Sequence, residues 1–382
     1  MFLAARVAMI FGGCWRLELP TNSSLWRHFY SVYSILAYVM IGTSAFSLGA
    51  NVPSLLEMNV LTAIECGAQG LFCAVLVAKM IACQSKGNIQ LIRSARCQEM
   101  QLLTQEATIL TRIYNQHIKY CYKLTISISV VSISTSVAVV EHGIRENVLF
   151  NFHNKNTTLE GPHTMYFWYP FETKNYHTWV LIDESVRAFF IGICNVSVNV
   201  FINSVMIFLR AQLVVLQQEF RNFCDKSGKR KVAGSKLLRV LCLKHQKLIK
   251  YYENFNDSLK FLVLLEYVMS SLITASTIIE IISGQNVTFS VGLFLTNFGG
   301  LMIIAWNSNE IILQSAALAT ALYESGWYYQ DHETQVLLHL MMIRCQKPLT
   351  ISIGPFGSMT VDAGMSRLRL AYSYTTVMGR KM

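Results

Sequence analysis

Charge is scarce in this chain. Only 14% of its 382 residues are Asp, Glu, Lys or Arg, against 53% apolar ones, and the mean hydropathy is +0.37. That excludes a string of soluble domains and points to an integral membrane protein. Segments of about ten residues with alternating hydropathy, the mark of a membrane β-barrel, are missing, although "SISVVSISTS" imitates one briefly. Internal repeats and paired interrupted helices are missing too, which argues against a secondary transporter. Neither Asp-Arg-Tyr nor Asn-Pro-x-x-Tyr occurs, so the pattern is not that of a G-protein-coupled receptor. The outer loops inferred below contain no cysteine, and the ten cysteines of the chain are expected as free thiols. His142, His153, His163 and His177 fit no zinc spacing. No cofactor, metal or enzymatic chemistry is expected.

Acidic residues are the scarcer sign, 22 against 32 basic, for a net charge of +10. Twelve of the basic residues fall between Arg210 and Lys260, around "KSGKRKV". Apolar runs flank this segment on both sides, so it reads as a cytoplasmic loop and not as a nucleic-acid patch. The opening "MFLAARVAMIFGGCW" has a short apolar stretch broken by Arg6 and no small-residue cleavage site, so a signal peptide is not expected.

What is present is apolar length. Six stretches approach the 20 or so residues that a membrane helix needs: 29–50, 60–82, 120–140, 188–209, 261–283 and 287–306. A seventh, roughly 350–378, is only partly apolar. Sorting the loops by Lys and Arg puts the N-terminus inside and the C-terminus outside. The expected plan is an all-α membrane protein of seven transmembrane helices. It has a cytoplasmic segment 1–28, helices one to four over 29–209 with an outer loop 141–187, and a basic connection 210–260. Helices five and six follow over 261–306, then a cytoplasmic anchor 307–349 and a last helix with a short outer tail over 350–382. The sequon at Asn156 falls in the outer loop and is the candidate glycosylation site. Three amphipathic stretches, 88–123, 237–259 and 310–342, do not span, and are expected to pack on one another as a cytoplasmic subdomain.

The last helix carries a polar stripe: Asp362, Ser366, Arg369, Ser373, Thr376 and Arg380 recur at intervals of four and three, which is one helix face. Turned to lipid, each charge would cost about 2.5 to 3.5 kcal/mol, so lipid exposure is excluded. Two settings remain. One is a seam buried within the bundle, with Glu65, Glu141, Glu266 and Glu280 as the available partners. The other is a water-filled conduit, which demands several subunits around an axis with this helix innermost. Val377, near the outer end of that face, suits a ring that closes a pore by dewetting.

Several short stretches resemble a known family. "TALYESGWYYQ" (320–330), "KPLTISIGPF" (347–356) and "RLAYSYTTVM" (369–378) resemble the C-terminal signature of insect odorant receptors, "YFWYPFETKNYHTW" (166–179) resembles the family's outer loop, and "IFGGCW" its N-terminal element. The resemblance implies the ligand-specific subunit of an odorant-gated, non-selective cation channel, assembled with a shared co-receptor into a mixed tetramer in the plasma membrane of olfactory neurons. It implies that permeant cations pass along the last helix. It implies a gate at Val377, with Ser373, Tyr374, Thr376 and Arg380 at pore or interface positions and Asp362 and Arg369 as charges of that helix. It also implies a small hydrophobic volatile in the outer half of the bundle. At that depth the candidate contacts are Ile64, Ala68 and Phe72, Ser134, Val137 and Ala138, Phe190 and Ile193, and Thr274 and Ile278.

Overall fold

The computed structural model describes residues 2–15, 24–58, 60–104, 109–153, 163, 165–223, 231–283 and 287–379. Ten helices account for most of them. They are α1 (Phe2–Phe11), α2 (Ser24–Met58), α3 (Val60–Cys83), α4 (Lys86–Thr104), α5 (Ile109–His153), α6 (His177–Arg221), α7 (Lys231–Ser283), α8 (Val287–Tyr323), α9 (His332–Cys345) and α10 (Val361–Gly379). The described residues form no strand, only an isolated bridge between Ser352 and Ser358. The nine described cysteines are all free thiols.

Five helices, α2, α3, α5, α6 and α8, are long and apolar enough to cross a membrane; α7 makes a sixth if its two parts, bent by 41° near Leu262, count as one span. The expected seventh, α10, is not in this set, because its polar stripe lowers its hydropathy. It is also shorter than expected. Residues 350–360 are not part of it: Met359 N–H donates to Ile351 C=O (2.7 Å) and Ile353 N–H to Gly357 C=O (2.7 Å). Gly354 and Gly357 turn this segment at φ +53° and +96°, a region open to glycine.

Two of the three connections expected as continuous helices are divided. The expected helix 88–123 is two helices, with 105–108 between them outside the described residues. The expected helix 310–342 is broken at Gly326 (φ +68°), so that α8 and α9 are separate. By contrast α7 stays helical from the basic connection into the fifth span, though bent between its two parts.

At the centre stands α6, packed against α1, α2, α3, α5, α7 and α8. Every residue from Cys194 to Leu209 is buried, the asparagines and serines included, which is why this stretch shows no solvent-facing side. The N-terminal segment does not stand apart from the spans: α1 lies along the middle of α6. A Cβ at Gly12 would come within 2.3 Å of Ser197 Oγ, so glycine is required for this close approach. Ser197 Oγ donates to Ala8 C=O (2.7 Å) across the same contact. At the other end, α4, α7, α8 and α9 pack together, joined to α6 by Arg210–Glu310 (3.0 Å) and Gln217 Nε2 to Gln314 C=O (2.8 Å).

Candidate functional site: a capped cavity and a polar helix face

Helices α3, α5, α6, α7 and α8 enclose a cavity of about 110 Å³ that Met165 also lines. Small residues make room for it. From α5 come Ser132, Thr135, Ser136 and Val139, from α6 Ala188, Ile191, Gly192 and Asn195, and from α7 Ile273, Ser276 and Thr277. Phe72 of α3 and Leu293 of α8 supply bulk. The hydroxyls are mostly committed to their own bundle: Thr135 Oγ1 shares a hydrogen bond with Thr296 Oγ1 (2.7 Å), and Thr277 Oγ1 donates to Ile273 C=O (3.0 Å). An apolar chamber with a few convergent polar groups suits a small organic molecule, and its volume is below that of sites for drug-sized ligands.

A cap closes one side. Met165 reaches the cavity, and the residues after it are stitched to the helix ends. Ser47 Oγ donates to Trp168 C=O (2.6 Å) and Trp168 N–H to Ser47 C=O (3.2 Å), while Asn51 Nδ2 donates to Tyr166 C=O (2.9 Å). Glu184, fully buried, accepts from Met165 N–H (3.3 Å) and lies 2.9 Å from His163 Nδ1. Asp183 accepts from Tyr169 OH (2.9 Å) and Arg187 Nε (2.7 Å). Burial, and then the bond to Asp183, push the Tyr169 phenol above its ordinary range.

Of the expected ligand contacts, Ala68 and Phe72 line this cavity. The others are placed elsewhere. Ile64 and Val137 are exposed on the outside of the bundle, and Ala138 and Ile278 are half-buried. Exposed Ser134 bonds back to Val131 C=O (2.8 Å). Phe190 packs edge-on against Tyr33, Ile193 lines a groove beside α1, and Thr274 is buried outside the lining. These residues and the cavity lining lie on different faces of the same helices. Each residue along a helix turns the side chain by roughly 100°, so on α5 the lining set 132, 135, 136 and 139 points away from 134 and 137. A signal for the right face was available: Ser132, Ser136, Gly192, Gly292 and Thr296 form stripes of small residues at the three- and four-residue spacing that lets membrane helices approach closely.

The second feature is α10. Its inner side rests on α7 and α8. Gly364 abuts Met302, Ala371 is buried, and Tyr267 OH donates to Ala363 C=O (3.1 Å). The Arg367 guanidinium lies 3.6 Å from the Tyr267 ring centre. On the opposite side Asp362, Ser366, Arg369 and Ser373 are exposed. Of the four candidate seam partners, Glu266 pairs with Lys79 and Glu65 with Gln69. Arg380 and Asn156, and the side chains of Tyr374, Thr376 and Val377, lie outside the described residues.

Residues 68–372 match the family model described as 7tm Odorant receptor. The chain is 25% identical over 185 residues to Odorant receptor 10 of Aedes albopictus, covering 47% of this chain and 49% of that one. It is 28% identical over 170 residues to Odorant receptor 30a of Drosophila melanogaster, covering 44% of each. The chain therefore matches under half the length of these relatives. The fold is that of the insect olfactory receptor OR5 from Machilis hrabei, at a TM-score of 0.80, 16% identity, and coverage of 99% of this chain and 97% of the other. The complex of that receptor with eugenol gives a TM-score of 0.79 at 17% identity, covering 100% and 98%.

Proposed function

The chain belongs to the 7tm odorant receptor family, and from that premise we propose that it is the ligand-specific subunit of an odorant-gated, non-selective cation channel. It assembles with co-receptor subunits into a mixed tetramer in the plasma membrane of olfactory sensory neurons, with its N-terminus cytoplasmic and its C-terminus outside. The observation that carries this reading is the exposed face of α10. Asp362, Ser366 and Arg369 are exposed along one side of it, and a charged face on a membrane helix is stable only against water or another protein surface. A junction between subunits around an ion path supplies both.

The capped cavity supports the ligand half of the reading. A small hydrophobic volatile would sit among Phe72, Ile191, Ile273 and Leu293, under Met165. Gating then follows as a population shift: the volatile binds the open arrangement better, and the bundle draws α10 away from the axis. The mechanical link is short. Ser308 of α8 holds Met359 C=O at 2.7 Å, two residues before α10 begins.

The test is current recording from excised, nucleotide-free membrane, with and without a co-receptor, against a panel of volatiles. Fast cation currents that require both subunits are expected. Responses that need a soluble G protein, or substrate flux without current, would overturn the channel reading. Replacing Val377 by a polar residue is expected to raise the current in the absence of ligand.

A further inference from the structure

A second chamber, of about 180 Å³, lies behind the ligand cavity, and it differs in character. Asn195, Asn199 and Asn203, one turn apart on α6, line it together with Ser127, Ser132 and Thr296. Ser132, Asn195 and Thr296 also line the cavity, so the two spaces adjoin through these three side chains. The asparagines form a ladder. Asn199 Nδ2 donates to Asn195 Oδ1 (3.1 Å), Asn203 Nδ2 to Asn199 C=O (2.9 Å), and Asn307 Nδ2 to Asn203 Oδ1 (2.7 Å). One ladder member that lines the chamber is left incomplete. Asn199 is more than nine-tenths buried, and among the described residues its Oδ1 has no hydrogen-bond donor.

A buried carbonyl without a donor is costly, and the cost is larger inside a membrane bundle, where bulk water is distant. The acceptor gains a purpose when a donor enters from the adjoining cavity. The cavity itself offers mainly apolar contact, and its hydroxyls are engaged with one another or with helix carbonyls.

Resting on the odorant-receptor reading, we propose that the ligand class is hydroxyl-bearing: an alcohol or phenol whose apolar body fills the cavity while its O–H enters the polar chamber and donates to Asn199 Oδ1. Selectivity follows from the chemistry of the orphan acceptor. A methyl ether of the same size has an oxygen but no proton to give. A hydrocarbon leaves the amide unmet. Sites built around a specific hydrogen bond discriminate strongly against analogues that lack the group.

The test is binding to the purified receptor in lipid nanodiscs, by displacement of a fluorescent apolar probe, with matched series of primary alcohols, their methyl ethers and the parent alkanes. Wild-type protein is expected to bind the alcohol about ten-fold more tightly than the ether or alkane of equal length. In Asn199→Leu that preference is expected to disappear while alkane binding is kept; the Asn203–Asn307 bond, which does not use the Asn199 side chain, stays in place. Equal affinities across the three series in the wild type would overturn the proposal without recourse to any variant. A preference that survives in Asn199→Leu would overturn it as well. Binding with the expected preference but without current in recordings would leave this inference standing and sink the channel reading instead.

Discussion

The middle of α6 and the length of α10 handle polar side chains in opposite ways. Between Cys194 and Leu209, α6 carries Asn195, Ser197, Asn199, Asn203 and Ser204, and each is buried within one chain. Their hydrogen bonds go mostly to α1, α8 or their own helix, through Ser197 to Ala8 C=O and Asn203 to Asn307 Nδ2. On α10 the polar residues face outward, and the anchoring of the helix is left to Gly364, Arg367 and Ala371 on the other side. Polarity inside a helix bundle is thus of two kinds. One kind is satisfied by the chain itself and specifies packing; the other is left open and specifies what the chain must meet.

The largest effect is expected where the two regions join. Lys79 of α3 and Glu266 of α7 form a buried ion pair bordering a small void, which Ile202 of α6 and Met359, just before α10, also line. Lys79→Met leaves the Glu266 carboxylate unpaired, and a loss of about 3–5 kcal/mol is expected, seen as a lowered unfolding midpoint and reduced surface expression. Lys79→Met combined with Glu266→Leu removes both charges and is expected to restore stability to wild type or above. A double variant as unstable as the single would mean that the pair is not what joins α3 to α7.

A second effect tests the packing of α7 near α9. Burial, and then the nearby Arg344 guanidinium, hold the His245 imidazole down at about 4, below its ordinary 6.5. The unfolded chain therefore takes up its proton first as pH falls. Stability from this residue is complete above pH 6.5 and is lost as the pH drops through the window to 4, by roughly 3 kcal/mol at most. Unfolding midpoints measured between pH 7 and 4 are expected to fall in the wild type and to fall less in His245→Gln. Equal slopes would place the acid sensitivity elsewhere.

How much of this was legible in the sequence depends on which interaction fixed each feature. Apolar length placed α2, α3, α5, α6, α7 and α8, because membrane insertion depends on a sum over some 20 residues. The stripe on α10 was legible from spacing alone, since Asp362, Ser366, Arg369 and Ser373 must share a face in any helix. The helix start was not, because residues 350–360 are held by contacts distant in sequence, such as Ser352 N–H to Asn256 Oδ1 (2.9 Å) and Leu349 N–H to Ser315 Oγ (2.9 Å). The cavity face was missed for a related reason. Which side of α5 looks inward is set by Gly192, whose missing side chain admits Ser136; a Cβ there would lie 2.5 Å from Ser136 Oγ. Depth is a property of one helix, and facing is a property of a pair.

The third effect sharpens the reading of α6. Asn203→Leu removes the only described acceptor of Asn307 Nδ2, on a residue that is 1% exposed and whose Oδ1 already lacks a partner. A loss of about 1–3 kcal/mol is expected, measured by thermal unfolding in detergent. Asn203→Leu with Asn307→Leu is expected to recover most of it, because two apolar groups leave nothing unmet. If the single variant is neutral, the ladder does not specify packing and the contrast with α10 weakens.

The smallest stability effect is expected on α10, and its smallness is informative. Ser366 is exposed and its Oγ bonds only to Asp362 C=O (2.7 Å), so Ser366→Leu is expected to shift stability by no more than about 0.5 kcal/mol. The equivalent change on α6, Ser197→Leu, drives four carbons into the contact with Gly12 and Ala8 and is expected to cost several times more. The exposed charges of α10 are expected to act on ions instead. In channels assembled with a co-receptor, Arg369→Glu should shift the reversal potential toward greater cation preference and Asp362→Lys away from it, since a fixed charge near an ion path raises the local concentration of the opposite sign. Both variants should unfold at the wild-type midpoint. The opposite pattern, a stability loss as large as in α6 with an unmoved reversal potential, would mean that this face is sealed against protein rather than turned to water and ions.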